Sequence, residues 1–305
     1  MATQVKPLQP VSKSEGYNRF RIDPFLIGRY IPLVVFALIF ILPILFMLMS
    51  SLKPDGQLLR DSSSLRAFLP VGDLSLNNYE NAFRRVPIAQ FAFNSTFVTV
   101  VTIVMGLAIN SMAAYSFAII NWRGKGIVIS IILATFIVPF ETIAVPMLLM
   151  VNELPWIGAE GIQTGWLNSY HVQIIPFIAD SFSIFLFYQY FRDLPGELVE
   201  AAKIDGAGLF QIYRTIIMPL SGPIIATYAI LKFLGMWNQY LWPLMTVRVE
   251  ELRPVMVGVQ YFFQLNTAWG EIMAYLSVIT VPVLLFYLLL QRAFIESIAS
   301  TGIKG

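Results

Sequence analysis

Cysteine is absent from this 305-residue chain, and His171 is its single histidine. A zinc site built from Cys and His and a cysteine nucleophile are therefore excluded within it. Charge is also scarce: 12% of residues are charged against 57% hydrophobic, too apolar for a water-soluble domain of ordinary composition. The charges gather between long uncharged runs, so the apolar surplus reads as discrete membrane spans and not as one oversized core. A net charge of +2 with no continuous basic stripe gives no reason to expect nucleic acid. The glycine-rich pattern ending in Gly-Lys-Ser/Thr is missing too, so no nucleotide site of that kind, and no catalytic residue, metal ligand or cofactor, is expected in this chain.

What the chain has is apolar length. Six segments meet the requirement of about 20 residues for a spanning helix: Tyr30–Ser50, Phe91–Ile120, Ile127–Met150, Ile174–Phe191, Pro223–Met245 and Ile272–Leu290. The first is followed by Ser51-Leu52-Lys53-Pro54 and not by a small-x-small cleavage site, so it reads as a span and not as a signal peptide. An even number of spans puts both termini on one side. The tails with loops 121–126 and 192–222 hold twelve Lys and Arg, against seven in loops 51–90, 151–173 and 246–271, so the positive-inside rule assigns both termini to the cytoplasm. The six runs do not divide into matching halves of the kind common in secondary transporters.

The 192–222 loop reads as structured. A helix-forming stretch from Glu197 to Ile204 meets a glycine break at Gly206 and Gly208, then a stripe of Leu209, Phe210, Tyr213, Ile216 and Ile217 at helical spacing. Either the stripe packs under the chain's own membrane helices or another protein covers it. Glu200-Ala201-Ala202-Lys203-Ile204-Asp205-Gly206-Ala207, then Ile216, Met218-Pro219-Leu220 and Pro223, resembles the EAA motif of ATP-binding-cassette importer permeases, departing where Met218 stands for the usual leucine. Small Ala201 and Ala202 allow another surface to approach, Gly206 supplies a backbone conformation that a side chain obstructs, and Pro219 and Pro223 end the second helix.

Ser51-Leu52-Lys53-Pro54, Asn77 and Tyr79, Asn94-Ser95, Trp237 through Leu244, Gln291 through Ile295 and Thr301 through Gly305 are similar to the maltose-type carbohydrate-uptake branch, in the smaller of its two membrane subunits. The resemblance runs from about Tyr30 onward; the N-terminal tail and the segment Leu154–Trp166 depart from it. It implies an all-α membrane protein of the type I importer permease fold, six transmembrane helices with a cytoplasmic coupling helix. The expected layout is a cytoplasmic tail over 1–29, a permease domain over 30–290 and a cytoplasmic tail over 291–305. The implied partners are a second homologous permease, an ATPase dimer that holds ATP and Mg, an extracytoplasmic solute-binding protein and membrane lipid, in a bacterial or archaeal cytoplasmic membrane. Glu200, Ala201, Ala202, Asp205, Gly206, Phe210, Tyr213, Ile217 and Pro219 are then the ATPase-coupling residues, with Glu200 as the ion-pair donor unless it is simply a solvated carboxylate. Tyr261, Phe262 and Phe263 are candidates for binding-protein contact. The tail 291–305 is expected to extend toward the ATPase, its small Ser300, Thr301 and Gly302 suiting an extended insertion.

Charges at membrane depth cost about 2.5–3.5 kcal/mol each on insertion scales, so Glu141, Asp180 and Lys232 need a reason. Glu141, between Pro139 and Pro146, either lines the solute path or stabilises a bend. Structural pairing suits Asp180 and Lys232, the latter otherwise snorkelling. Asn94, Trp237, Asn238 and Gln239 are candidates to line the path, since indole faces stack on sugar rings and amides exchange hydrogen bonds with hydroxyls. Trp242, before Pro243, reads as part of an aromatic belt. The function these readings converge on is a sugar-like solute permease. A secondary carrier coupled through Glu141, Asp180 and Lys232, or a membrane scaffold, is the alternative.

Overall fold

A computed structural model describes residues 24–158, 161–263 and 267–302; most of the 1–29 tail lies outside them. The chain divides at Phe46. Up to that point lies most of helix α1 (Pro24–Ser51), whose apolar side chains from Tyr30 to Leu42 are turned outward, as lipid contact requires.

From Met47 onward the described elements are helical apart from one hairpin. After α2 (Asp55–Asp61) and α3 (Asn77–Arg85) comes α4 (Ile88–Ala118), a 31-residue helix whose two ends each meet a different part of the chain. Then follow α5 (Lys125–Thr135), α6 (Phe140–Glu153), the antiparallel strands β1 (Pro155–Gly158) and β2 (Gly161–Thr164), α7 (Tyr170–Ile174) and α8 (Ser181–Arg192). The last group is α9 (Gly196–Ile204), α10 (Leu209–Ile212), α11 (Met218–Leu220), α12 (Gly222–Trp237), α13 (Leu241–Thr246), α14 (Val255–Gly258) and α15 (Trp269–Gly302). Helix α4 packs against α8 and α12, and α15 packs against α12 and α3.

Four described helical runs, in α1, α4 and α15 and from Tyr170 to Arg192 through α7 and α8, are long and apolar enough to cross a membrane, and two bent pairs bring the number to six if each pair is one span. The expected third span is one of these pairs: α5 and α6 meet at 101°. Pro139 is the cause, since proline excludes its predecessor from the α region and itself adopts an extended backbone here. The fifth span is shorter than expected. It ends at Trp237, and the chain turns through Asn238–Tyr240 before α13. At the C-terminus the expected extended tail is instead helical through Gly302, because no Pro or Gly interrupts the run from Gln291 to Thr301; residues 303–305 lie outside the described residues. The 154–166 segment, unassigned from sequence, is the β hairpin, with Trp156 packed on His171 at 5.0 Å between ring centroids.

The fourth span is also interrupted. Backbone at membrane depth must find partners within the protein, and here α4 supplies them: Asn110 Nδ2 donates to the Ile178 carbonyl at 2.8 Å, and its Oδ1 accepts from the Asp180 N–H at 3.0 Å. Gly106, one turn earlier, permits that approach, since a Cβ there would lie 2.7 Å from the Ile178 carbonyl oxygen and against the Tyr228 hydroxyl.

Candidate functional site: the 192–222 loop and a polar cavity

The loop between α8 and α12 is two short helices held at an angle by one residue. Gly206 has φ of +81°, the left-handed region that costs other residues roughly 1–2 kcal/mol. Beyond it, α10 continues into a π-helical turn, Tyr213–Ile217, and the passage from Leu209–Leu220 to α12 bends by 79°. Hydroxyl groups fasten the loop to the helices above it. Tyr115 donates to the Leu209 carbonyl at 3.0 Å, the Ser111 and Tyr213 hydroxyls lie 2.7 Å apart, and Tyr190 donates to the Leu220 carbonyl at 2.8 Å.

The two faces of the expected stripe separate. Ala202, Tyr213 and Ile217 are buried, together with Val199 and Ile212, against Phe187, Phe191 and Tyr228. Covering by another protein is therefore corrected for Tyr213 and Ile217: the chain's own core covers them, because the wider π turn carries Tyr213 round to the inner face. Phe210 remains 64% exposed and Ile204 86% exposed, with Leu198 and Leu209 beside them. Glu200, Ala201, Asp205, Gly206 and Pro219 are exposed as well.

A second feature is an open cavity of about 480 Å³ walled by α6, α8, α12 and the segment before α8. Asp180 caps α8: Oδ1 accepts from the Ser183 N–H at 2.8 Å, while Oδ2 accepts from the Ser183 hydroxyl at 2.8 Å and from Lys232 Nζ at 2.7 Å. The two charges expected to find structural partners thus find each other, and the pair ties the head of α8 to α12, the helix that leaves the 192–222 loop. Phe140, Phe177 and Phe182 supply aromatic wall, and Gln239 reaches the cavity from beyond the end of α12.

The other path candidates lie elsewhere. Asn94 is fully buried, donating to the Glu251 and Arg253 carbonyls at 2.8 and 3.0 Å and accepting from the Tyr170 hydroxyl at 2.8 Å, so its amide locks the 250–255 segment onto α4. Trp237 is buried in the core, stacked on Phe233 with centroids 5.4 Å apart. Asn238 is exposed and closes its own helix by donating to the Leu234 carbonyl at 2.9 Å. Glu141 is exposed in the first turn of α6, next to the cavity residue Phe140. Trp242 corrects the belt reading: it is fully buried and donates from Nε1 to the Val172 carbonyl at 2.7 Å, because the turn after Trp237 folds α13 back against α7. Of the three aromatics expected to contact a binding protein, Phe262 is buried against Tyr275, Tyr261 is half-buried between Glu250 and Arg253, and Phe263 is exposed. Residues 264–266 of that contact segment lie outside the described residues. Sequence reasoning missed Asn110, Gly106 and Ser183; the signal was a polar residue and a glycine one turn apart inside an apolar span.

Residues 106–299 match the family model described as "Binding-protein-dependent transport system inner membrane component". The chain belongs to this family. Curated relatives agree along nearly the whole length. The arabinooligosaccharides transport system permease protein AraQ of Halalkalibacterium halodurans is 31% identical, over 88% of this chain and 93% of that one. The sn-glycerol-3-phosphate transport system permease protein UgpE of Brucella abortus is 29% identical, over 90% and 96%. Among solved structures, a bacterial ABC transporter involved in the import of the acidic polysaccharide alginate matches with a TM-score of 0.71 and 23% identity, over 92% of this chain and 100% of the matched chain; that likeness establishes the type I importer permease fold. This inner membrane component is therefore a permease subunit of a binding-protein-dependent importer, embedded in a membrane through its apolar helices. Among the described residues no group of three His, Cys, Asp or Glu is placed to hold a metal.

Proposed function

We propose that this permease forms half of a saccharide path in a bacterial or archaeal cytoplasmic membrane, the other half coming from a second homologous subunit. ATP and Mg are held by a dimeric ATPase, which the 192–222 loop engages on the cytoplasmic side, where both termini also lie. The observation that carries this reading is the exposed apolar edge of that loop. Ile204, Leu209 and Phe210 face outward around a left-handed Gly206, within a segment otherwise fastened to the permease core by three tyrosine hydroxyls. Fastening on one side and exposure on the other suit an element that transmits motion. ATP-driven closure of the ATPase pair would push on Glu200, Ala201, Asp205 and Phe210, and α12 would carry the displacement to the Asp180–Lys232 pair. At the opposite end of α4, exposed Phe263 with Tyr261 is the contact offered to an external binding protein.

The solutes for which the relatives are named, arabinooligosaccharides among them, support a sugar-like solute; sn-glycerol 3-phosphate marks the wider class that the same scaffold serves. The test is uptake of labelled solute by proteoliposomes containing this chain with its co-purifying permease, ATPase and binding protein. Uptake should require ATP and every component. Uptake by this chain alone, driven by an ion gradient, would establish the carrier reading through Glu141, Asp180 and Lys232 instead, and an ATP-independent complex without uptake would leave a scaffold.

A further inference from the structure

The charge balance of the cavity separates two classes of solute. Its charged lining groups are one carboxylate and one ammonium, Asp180 and Lys232, 2.7 Å apart. Their side chains are 34% and 11% exposed, so the ammonium is largely withdrawn from water, the carboxylate keeps partial access to it, and the two charges offset one another locally. Glu141 follows lining residue Phe140 in sequence but is exposed and does not line the cavity, so the pair carries the charge of the lining.

We infer that this cavity is a solute subsite selective for uncharged polyhydroxylated rings over anionic ones, an inference that rests on the transport reading above. Lys232 has Asp180 as its one partner among the described residues, which leaves two of its three ammonium donors for hydroxyl oxygens. Gln239 adds an amide with both donor and acceptor, and the faces of Phe140, Phe177 and Phe182 match the apolar faces of a sugar ring. A carboxylate or phosphate finds no such match. An anion drawing on Lys232 would have to share it with Asp180, setting two negative groups against one ammonium that is itself largely withdrawn from water, which costs free energy that a neutral hydroxyl does not.

Asp180→Asn tests this directly, because asparagine is as good a helix N-cap as aspartate while the change frees the Lys232 charge. Labelled neutral di- and trisaccharides and the uronates of matching length would be measured by equilibrium dialysis against the detergent-solubilised transporter without its binding protein, so that the membrane cavity alone discriminates. Wild type should prefer the neutral members, and Asp180→Asn should move the ratio toward the uronates by about tenfold or more. A wild-type preference for uronates, or a ratio unmoved by the substitution in monodisperse protein, overturns the inference; the wild-type ratio alone decides should the variant not fold. Absence of binding by any member while ATP-driven uptake persists overturns the subsite and leaves the importer reading intact, whereas uptake without ATP would count against that reading.

Discussion

The two ends of α4 use aromatic side chains in opposite ways. Around Asn94 and the 250–262 segment, Phe262 and Trp237 turn inward, and buried amides and carbonyls satisfy one another. Around Tyr115, where the 192–222 loop attaches, Tyr213 turns inward but Phe210 stands in the open with Ile204 and Leu209. One end is closed by its own chain except at exposed Phe263; the other is left with a wider apolar edge of Ile204, Leu209 and Phe210 that a partner surface would complete.

Replacing one aromatic at each end sharpens that contrast and gives the largest expected effect. Trp237→Ala should lower the stability of the solubilised chain by about 3–5 kcal/mol, seen as a fall in the thermal midpoint. Phe210→Ala should leave stability within roughly 0.5 kcal/mol while reducing ATP-coupled uptake. Equal stability losses in both variants would mean that the loop end is closed as completely as the other.

Between the two ends, Asn110 is the test of the interrupted span. Asn110→Leu leaves the Ile178 carbonyl and the Asp180 N–H without their partner, at roughly 1–3 kcal/mol for each unsatisfied group. Loosening of α8 would also disturb the cavity, so a lowered thermal midpoint should accompany weaker solute binding. An unchanged midpoint would mean that water or a shifted backbone fills the gap.

Gly206→Val is a smaller perturbation in energy and a larger one in function. No atom crowds a Cβ at this position, so the cost is backbone strain alone, roughly 1–3 kcal/mol, borne by the angle between α9 and α10. At matched membrane abundance, uptake should fall while ATPase activity continues; Glu200→Lys should do the same by reversing charge on the exposed face. Normal coupled transport in both variants would reduce the loop to a membrane-surface turn.

These effects follow the division between what the sequence made legible and what it did not. Apolar length revealed the membrane class, and Gly206 announced a backbone conformation that a side chain obstructs, which the structure shows as a left-handed turn, because both signals are local. The aromatic run from Trp237 to Trp242 misled because its meaning depends on where α12 stops. Pattern alone extends the helix to Met245, which turns Trp242 outward, whereas the turn at Asn238 brings it to the Val172 carbonyl. The stripe from Leu209 to Ile217 misled by half, since a π turn changes which side chains share a face without altering composition. Asp180 and Lys232 are 52 residues apart, and only the packing of α8 on α12 makes them a pair.

The mildest prediction concerns Asp61, on the end of the chain that closes itself. Lys53 is almost fully buried and donates from Nζ to Asp61 Oδ2 at 3.1 Å and to the Arg66 carbonyl at 2.5 Å. That hydrogen bond is the main reason the Asp61 carboxyl lies below its ordinary value of 3.8. It outweighs the burial that pushes the group up, and Gln57 and the charges of Lys53 and Arg66 add to it. A carboxylate with a lowered pKa binds its proton less readily in the folded state than in the unfolded one. Its stabilising contribution is therefore complete above the ordinary value and is lost as pH falls below that value through the lowered one. As pH falls from about 4 through the lowered value, wild type should lose thermal midpoint by more than Asp61→Asn does, since asparagine has no proton to gain, and the two curves should converge toward the acid end. A gap between them that stays constant across that range would show that Lys53 is held by the Arg66 carbonyl alone, and that Asp61 contributes shape and not charge.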